Sequence, residues 1–218
     1  MKILSFGGGR QTVAIACMIV HGDLEKPDHF IFADPQDENP ITYIYNSFVE
    51  KKIEEVGVKY HTVTEGNIIK NSLSSNRFAS MPFFTLNNDG TVGMLRRQCT
   101  NEYKIAPVEK KYRELLGLKP RARHKGKEEM WIGYSINEIK RVDKFLKRKR
   151  PKWIIPRFPL IEKNISLDGC IEYLLAHKWL IPPKSSCNIC PYQSNRSWWE
   201  KKKYQPKLFQ YILFSISF

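Results

Sequence analysis

The stretch KILSFGGGRQTVAIACMIV, from Lys2 to Val20, decides the fold of this 218-residue chain. Lys2 to Phe6 predicts a strand and Gln11 to Val20 predicts a helix, with three glycines between them. A strand that runs through glycines into a helix is typical of phosphate binding, because glycine lets the backbone approach an anion and the helix start presents free N–H groups. A plain tight turn is the alternative, although three glycines cost such a turn much backbone entropy.

The alternation of strand and helix continues beyond this stretch. His29 to Ala33 predicts a buried strand, Lys59 to Val63 predicts a third strand, and Ile41 to Val56 predicts the helix between them. This order predicts an α/β fold with a doubly wound parallel sheet. We expect a nucleotide-binding α/β domain over residues 1–160 and a helical, cysteine-containing C-terminal extension over residues 161–218.

Positive charge is concentrated in the middle of the sequence. The chain has a net charge of +14, and residues 96–152 carry 19 basic and 7 acidic side chains. At the end of this region, KFLKRKRPKW (Lys144 to Trp153) alternates basic with aromatic residues. Such a local field favours a polyanion, and a nucleic acid is the partner that this pattern predicts. A solvated basic face is the alternative.

The sequence lacks the features of a secreted or membrane protein. No apolar run approaches the 18 or so residues of a membrane-spanning helix, and the N-terminus enters a strand directly. We therefore expect a cytoplasmic protein with no membrane partner. Its five cysteines are then more typical of metal binding or redox chemistry than of a disulfide framework.

Several motifs, in order along nearly the whole chain, carry a resemblance to a known family. They are SFGGGRQT, FADPQDEN, RRQCTNEYKI, WIGYSINEIKR, PRFPLIE and PPKSSCNICPYQS. The chain resembles a phosphoadenosine-phosphosulfate (PAPS) reductase-like subfamily of phages and bacteria, within the adenine nucleotide alpha-hydrolase (ATP pyrophosphatase, PP-loop) superfamily. The resemblance implies a Rossmann-like doubly wound fold that binds ATP or a related adenine nucleotide. It also implies that relatives run longer, so we expect a truncated C-terminal extension.

The resemblance also implies the nucleotide-binding residues. The pyrophosphate loop falls on Ser5, Phe6, Gly7, Gly8, Gly9, Arg10, Gln11 and Thr12, and Arg97 and Tyr134 accompany it. Gln11 replaces the usual aspartate, so the standard magnesium–ATP geometry is not carried over, although magnesium stays among the expected cofactors. Asp34 follows the second strand and is the expected catalytic acidic group, with Asp37 and Glu38 as neighbouring alternatives. A loop-capping carboxylate is the other interpretation of Asp34.

The cysteines predict a second kind of site. Cys187 and Cys190 form a C-x-x-C pair, and the resemblance joins them to Cys99 as ligands of a [4Fe–4S] cluster, with Cys99 also expected to be catalytic. A zinc ion is the alternative, with a fourth ligand from among His124, His177 and Cys170. A redox disulfide is a third interpretation. We expect Cys17 and Cys170 to be core residues.

Together these features predict an enzyme. The resemblance implies ATP-dependent adenylation and sulfur transfer, with a sulfur-donor protein as a further partner. The charge pattern makes a nucleic acid such as transfer RNA or DNA the expected target. One alternative is a sulfonucleotide reductase, although the C-terminal Glu-Cys-Gly-Leu-His type motif of those enzymes does not occur in the sequence. The other is a zinc-containing nucleic-acid-binding protein with a vestigial loop.

Overall fold

The structure is a computed structural model that describes residues 1–72 and 81–216, with side chains to residue 214. Its strands are β1 (Lys2–Phe6), β2 (His29–Ala33), β3 (Lys59–Val63), β4 (Phe84–Leu86), β5 (Val92–Met94), β6 (Glu128–Ile132) and β7 (Ile154–Arg157). Its helices are α1 (Arg10–His21), α2 (Pro40–Glu55), α3 (Ile68–Ser72), α4 (Ala106–Leu115), α5 (Ile139–Lys147), α6 (Pro159–Glu162), α7 (Leu167–Ala176), α8 (Asn195–Tyr204) and α9 (Pro206–Ile216). A π-helical turn, Asn101–Ile105, precedes α4, and a 3-10 turn, Ile136–Glu138, precedes α5.

The chain divides into two compact units that interleave along the sequence. Unit 1 consists of Met1–Ala33, Pro40–Val63 and Val108–Ser185, and unit 2 consists of Asp34–Asn39, Thr64–Pro107 and Ser186–Phe218. The units follow packing rather than chain order, and the predicted domain division at residue 160 remains a prediction. Among the helices of the described residues, none is both long and apolar enough to cross a membrane.

Unit 1 is built on a five-stranded parallel sheet with the order β3-β2-β1-β6-β7. Leu4 of β1 pairs with Phe30 of β2 on one side and with Trp131 of β6 on the other. From β1, the chain therefore adds β2 and β3 on one side of the sheet and later adds β6 and β7 on the other side. This topology confirms the predicted α/β class with its parallel sheet.

Helices cover both faces of this sheet because successive residues of a strand point to opposite sides. Leu4 and Phe6 of β1 belong to a core with α1, α2 and α7, whereas Ile3 belongs to a second core with Val108 and Tyr112 of α4. At about 25 cal/mol per Å2 of apolar surface, burial on both faces is the main stabilising contribution to this unit.

Most predicted element bounds agree with the structure, and α5 is the main exception. The prediction for β1 to β3 is confirmed. The sequence also predicts a helix from Leu167 with Ser166 as its cap, and the Ser166 hydroxyl caps α7 by accepting from the Gly169 N–H at 3.0 Å. The sequence from Asn137 to Val142 predicts a short helix, whereas α5 continues to Lys147. Charged residues after Val142 concealed this continuation, since Asp143 and Lys144 separate Phe145 and Leu146 from the apolar residues before them.

Unit 2 combines a hairpin with a small apolar core. The sequence from Pro82 to Met94 predicts a hairpin with Asn88-Asp89-Gly90 in its turn. The antiparallel strands β4 and β5 confirm this hairpin, and Gly90 takes a positive φ of 81° in the turn. The core includes Ile68, Tyr103, Ile189 and Ile212. Cys187 belongs to the same core, so the C-x-x-C loop packs against it.

Candidate functional site

The glycine turn of unit 1 leads directly into the uncapped N-terminus of helix α1. Gly7 to Gly9 connect β1 to α1, and Gly9 takes the extended conformation of an N-cap. No side chain caps this end, and the first turn of α1 contains no acidic residue. The free N–H groups and the helix dipole therefore give the turn a partial positive charge.

This turn lies where the strand order reverses, between β1 and β6. The carboxyl ends of parallel strands share one edge, so the turn after β6 lies beside the turn after β1. A Cβ atom on Gly133 would lie 2.6 Å from Cγ2 of Thr12 and 3.3 Å from its backbone N. Glycine at residue 133 therefore allows the two turns to approach closely. Ligands of open α/β sheets bind at such reversals.

Helix α2 closes the other side of the glycine turn. Gly8 has a φ of +66°, and a Cβ atom there would lie 2.7 Å from Oδ1 of Asn46 and 3.2 Å from Cγ2 of Thr42. Residue 8 must therefore be glycine for two reasons, the backbone conformation and the contact with α2.

Three buried polar side chains adjoin these turns without hydrogen-bond partners in the described part of the chain. They are Thr42 and Asn46 on α2, which contact Gly8, and Ser135, which lies two residues after Gly133. Their exposed fractions are 0%, 5% and 0%, and both amide atoms of Asn46 are unpaired. An unpaired buried polar group costs about 1–3 kcal/mol, so a bound ligand that supplies donors and acceptors would remove a substantial penalty.

Sequence reasoning missed these three residues, although α2 contained a signal. Thr42 and Asn46 are four residues apart and lie on the face that also carries Val49 and Ile53, all of them buried. Two polar residues in register with the apolar positions of an amphipathic helix are unusual, because that face normally packs in the core. Ser135 had no comparable signal.

Two side chains of the predicted pyrophosphate loop form bonds within unit 1. Nε2 of Gln11 donates to Oε2 of Glu138 at 2.9 Å, which connects α1 to the turn before α5. The Thr12 hydroxyl donates to the Gly9 carbonyl at 3.1 Å and so holds the turn. These bonds leave the backbone N–H groups as the main anion-binding groups of the loop.

The remaining predicted residues of unit 1 have varied surroundings. Phe6 is a core residue next to Phe30, and the neighbouring Ser5 is half-buried in β1. Nε of Arg10 lies 3.5 Å from the Pro182 carbonyl oxygen, at the limit of a hydrogen bond. The ring of Tyr134 stacks on Phe158, and the Arg141 guanidinium lies 4.6 Å from the Tyr134 ring centre.

In unit 2, the motif that contains Asp34 supports the cysteine loop. The Asn188 N–H donates to the Asp37 carbonyl at 2.7 Å, and the Ile189 N–H donates to the Asp37 carboxylate at 3.0 Å. Glu38 forms an isolated β-bridge with Cys187. Asp37 and Glu38 are therefore structural partners of the C-x-x-C segment.

Two lysines add positive charge beside this loop. Nζ of Lys104 pairs with the buried Glu38 carboxylate at 2.9 Å, and Nζ of Lys201 donates to the Asn188 carbonyl at 2.8 Å. Both ammonium groups interact electrostatically with Cys187. Burial nevertheless raises the pKa of the Cys187 thiol to about 12, against the opposing effect of Lys104, so the isolated thiol is neutral at pH 7.

The three predicted thiol ligands are all in unit 2. Cys99 and Cys190 border the same apolar core that contains Cys187. Thiols with basic neighbours are suitable donors for an iron–sulfur cluster or zinc. Within residues 1–72 and 81–216, however, no three side chains of the ligating types form a group that could hold a metal ion. The donor types fit a metal site, whereas their arrangement does not, and no reaction step below depends on one.

Other candidates have separate partners. Oδ1 of Asp34 accepts from the Gln36 N–H at 2.7 Å and so caps its own loop, while the Arg97 guanidinium lies 5.1 Å from the ring centre of Tyr192. In unit 1, Nε2 of His124 lies 2.8 Å from Oε1 of Glu128, and the His177 ring stacks on Tyr173. Cys17 and Cys170 are fully buried in the core, which confirms the prediction for both.

No family model and no curated protein matches the sequence. The resemblance to PAPS reductase-like proteins therefore rests on the motifs alone.

The pH dependence of stability should report on Asp37. Burial raises its pKa to about 6, against the opposing effect of its hydrogen bond from Ile189. The folded protein then binds more protons than the unfolded chain between about pH 4 and pH 6, so the contribution of this residue to stability falls as pH rises through that window. In the wild type, this effect should lower the free energy of unfolding by up to about 3 kcal/mol as pH rises, and Asp37→Asn should not show that fall. Urea unfolding of both proteins at pH 4.5 and pH 7 measures the difference. Parallel pH profiles of the two proteins would contradict this expectation.

Proposed function

We propose that the protein is an enzyme that binds the phosphates of an adenine nucleotide at the glycine turn of unit 1. The observation that carries this proposal is the group of buried, unpaired polar side chains beside an uncapped helix start. The reversal of strand order at the same place supports it. The choice of adenine rests on the motif resemblance.

The chemistry available at this turn is electrostatic. The free N–H groups at the start of α1 would donate to phosphate oxygens, and Nδ2 of Asn46 would add a side-chain donor. If the α–β phosphate bond of ATP is cleaved, an oxygen of the second substrate displaces pyrophosphate and becomes adenylated. Fixed N–H groups would stabilise the charge that develops on the leaving pyrophosphate.

We further propose that unit 2 supplies thiol chemistry for sulfur transfer. Cys99, Cys187 and Cys190 are the thiols proposed for this chemistry. The resemblance assigns them to a [4Fe–4S] cluster, or to zinc in the alternative, although their arrangement in the described residues does not form such a site. Lys104 and Lys201 would offset the negative charge of the thiolates, which their positions beside Cys187 support.

Nucleotide binding can be tested through Asn46. Asn46→Leu replaces an unpaired buried amide by an apolar group of similar size, so we expect the unliganded protein to be as stable as the wild type or more stable. We expect its ATP affinity to fall about tenfold, because a hydrogen bond to the ligand is lost. Thermal unfolding gives the first quantity and titration calorimetry with ATP gives the second.

Glu54→Gln provides the matched control, because Glu54 is exposed on the same helix. This variant should bind ATP as the wild type does. The proposal is wrong if the wild type shows no saturable ATP binding, or if Asn46→Leu binds ATP with unchanged affinity.

A further inference from the structure

Two basic segments that are separate in the sequence converge on one edge of the sheet in unit 1. Residues 119–127 lead into β6 and contain five basic and no acidic side chains, while residues 148–152 lead into the neighbouring strand β7 and contain four basic and no acidic side chains. Since β6 and β7 are parallel, both segments lie at their amino ends. Nζ of Lys127 donates to the Lys152 carbonyl at 2.9 Å, which joins the segments directly.

Helix α5 extends this charge along unit 1. It has no buried residue, and Phe145 holds it by packing on Tyr134 and Phe158. Lys140, Lys144 and Lys147 follow a spacing of four and three residues, so they share the opposite, exposed side. We call the two segments and this lysine side the basic surface.

The basic surface has few opposing charges. None of its residues is acidic, Asp143 lies next to its lysine side on α5, and Arg141 of α5 is paired with Glu138. No described carboxylate pairs with Lys119, Arg121, Arg123 or Lys125, all of which are exposed. Concentrating so many like charges on one surface is unfavourable without counter-ions, and a polyanion that displaces those ions gains affinity from their release.

We propose that the basic surface binds the phosphate backbone of a nucleic acid. The loops favour this partner over an anionic membrane, because residues 119–127 present arginines and lysines with no large apolar side chain that would enter a lipid layer. Binding through phosphates positions a nucleic acid without reading its sequence. The surface is made entirely of residues outside the proposed nucleotide site, so the two proposals can fail separately.

The test uses a triple variant, Arg121→Gln, Arg123→Gln and Lys125→Gln, in the full-length protein. Fluorescence anisotropy with a labelled 20-base-pair DNA duplex, the corresponding RNA duplex and each single strand is measured between 50 and 200 mM salt. We expect the affinity of the variant to fall at least about tenfold and the slope of log affinity against log salt to become shallower by about 3. ATP affinity should be unchanged.

The matched control also removes three exposed charges of unit 1, by Lys51→Gln, Lys59→Gln and Lys163→Gln. It should bind nucleic acid nearly as the wild type does. Equal losses in both triple variants, no binding of any duplex or strand by the wild type, or preferential binding to phosphatidylserine vesicles would each overturn the proposal. Unchanged ATP binding in those cases would leave the nucleotide site standing.

Discussion

Gly8→Ala is expected to lower the free energy of unfolding by about 2–5 kcal/mol and to weaken nucleotide binding by at least tenfold. An L-residue at a φ of +66° loses about 1–2 kcal/mol, and the added Cβ atom would meet Oδ1 of Asn46 at 2.7 Å, which adds about 1–3 kcal/mol of overpacking. Moving Asn46 would also disturb a proposed ligand contact. Urea unfolding and ATP titration measure the two effects.

The contact with α2 can be separated from the backbone strain. Gly22 ends α1 at a φ of +82° with nothing within 4 Å of an added Cβ, so Gly22→Ala should show the strain alone and retain ATP affinity. Asn46→Ala combined with Gly8→Ala should recover the overpacking portion, which gives a non-additive double-mutant cycle. Equal losses from Gly8→Ala and Gly22→Ala would show that α2 does not restrict residue 8.

Glu38→Ala should be the most disruptive change in unit 2. The Glu38 side chain is fully buried, and its removal leaves the Lys104 ammonium without its carboxylate at 2.9 Å. Breaking a fully buried ion pair lowers the free energy of unfolding by about 3–5 kcal/mol. Because Lys104 is 38% exposed, we expect a smaller loss of about 2–3 kcal/mol here. Because the pair with Lys104 holds the backbone segment that is bridged to Cys187, we also expect faster labelling of Cys187 by a thiol reagent.

Glu200→Ala is the control for this prediction. Glu200 accepts from Arg196 on the exposed side of α8, where the side chains are 45% and 86% exposed, so its loss should change stability by less than about 1 kcal/mol. Denaturant unfolding and Cys187 labelling should both resemble the wild type. If Glu38→Ala and Glu200→Ala behave alike, the buried pair does not hold the cysteine loop.

The elements of unit 1 could largely be predicted from the sequence because their signals are local. Apolar runs mark β1 to β3, the glycines mark the turn after β1, and Ser166 marks the start of α7. Each signal depends on residues within a few positions of one another, where backbone conformation and side-chain period act directly. The alternation of these elements was enough for the parallel α/β class.

The candidate sites could not be predicted in full from the sequence, because residues that are far apart in the chain form them. Asp37 and Glu38 were the alternatives to Asp34 as the acidic group near a nucleotide, and they bind the segment of Cys187 to Ile189, about 150 positions along the chain. Sequence spacing carries no information about such pairing, because the intervening elements decide which loops meet.

The sequence by itself determined most of the strands and helices of unit 1, the glycine turn and the excess of positive charge. Only the tertiary structure decided that Thr42 and Asn46 lie unpaired beside Gly8, and that two basic segments meet before β6 and β7. The physical reason is that strand order and helix packing are set by burial of apolar surface over the whole fold. Residues that are far away in the chain therefore decide whether a polar side chain is buried without a partner. They also decide which charged segments meet at one edge of the sheet.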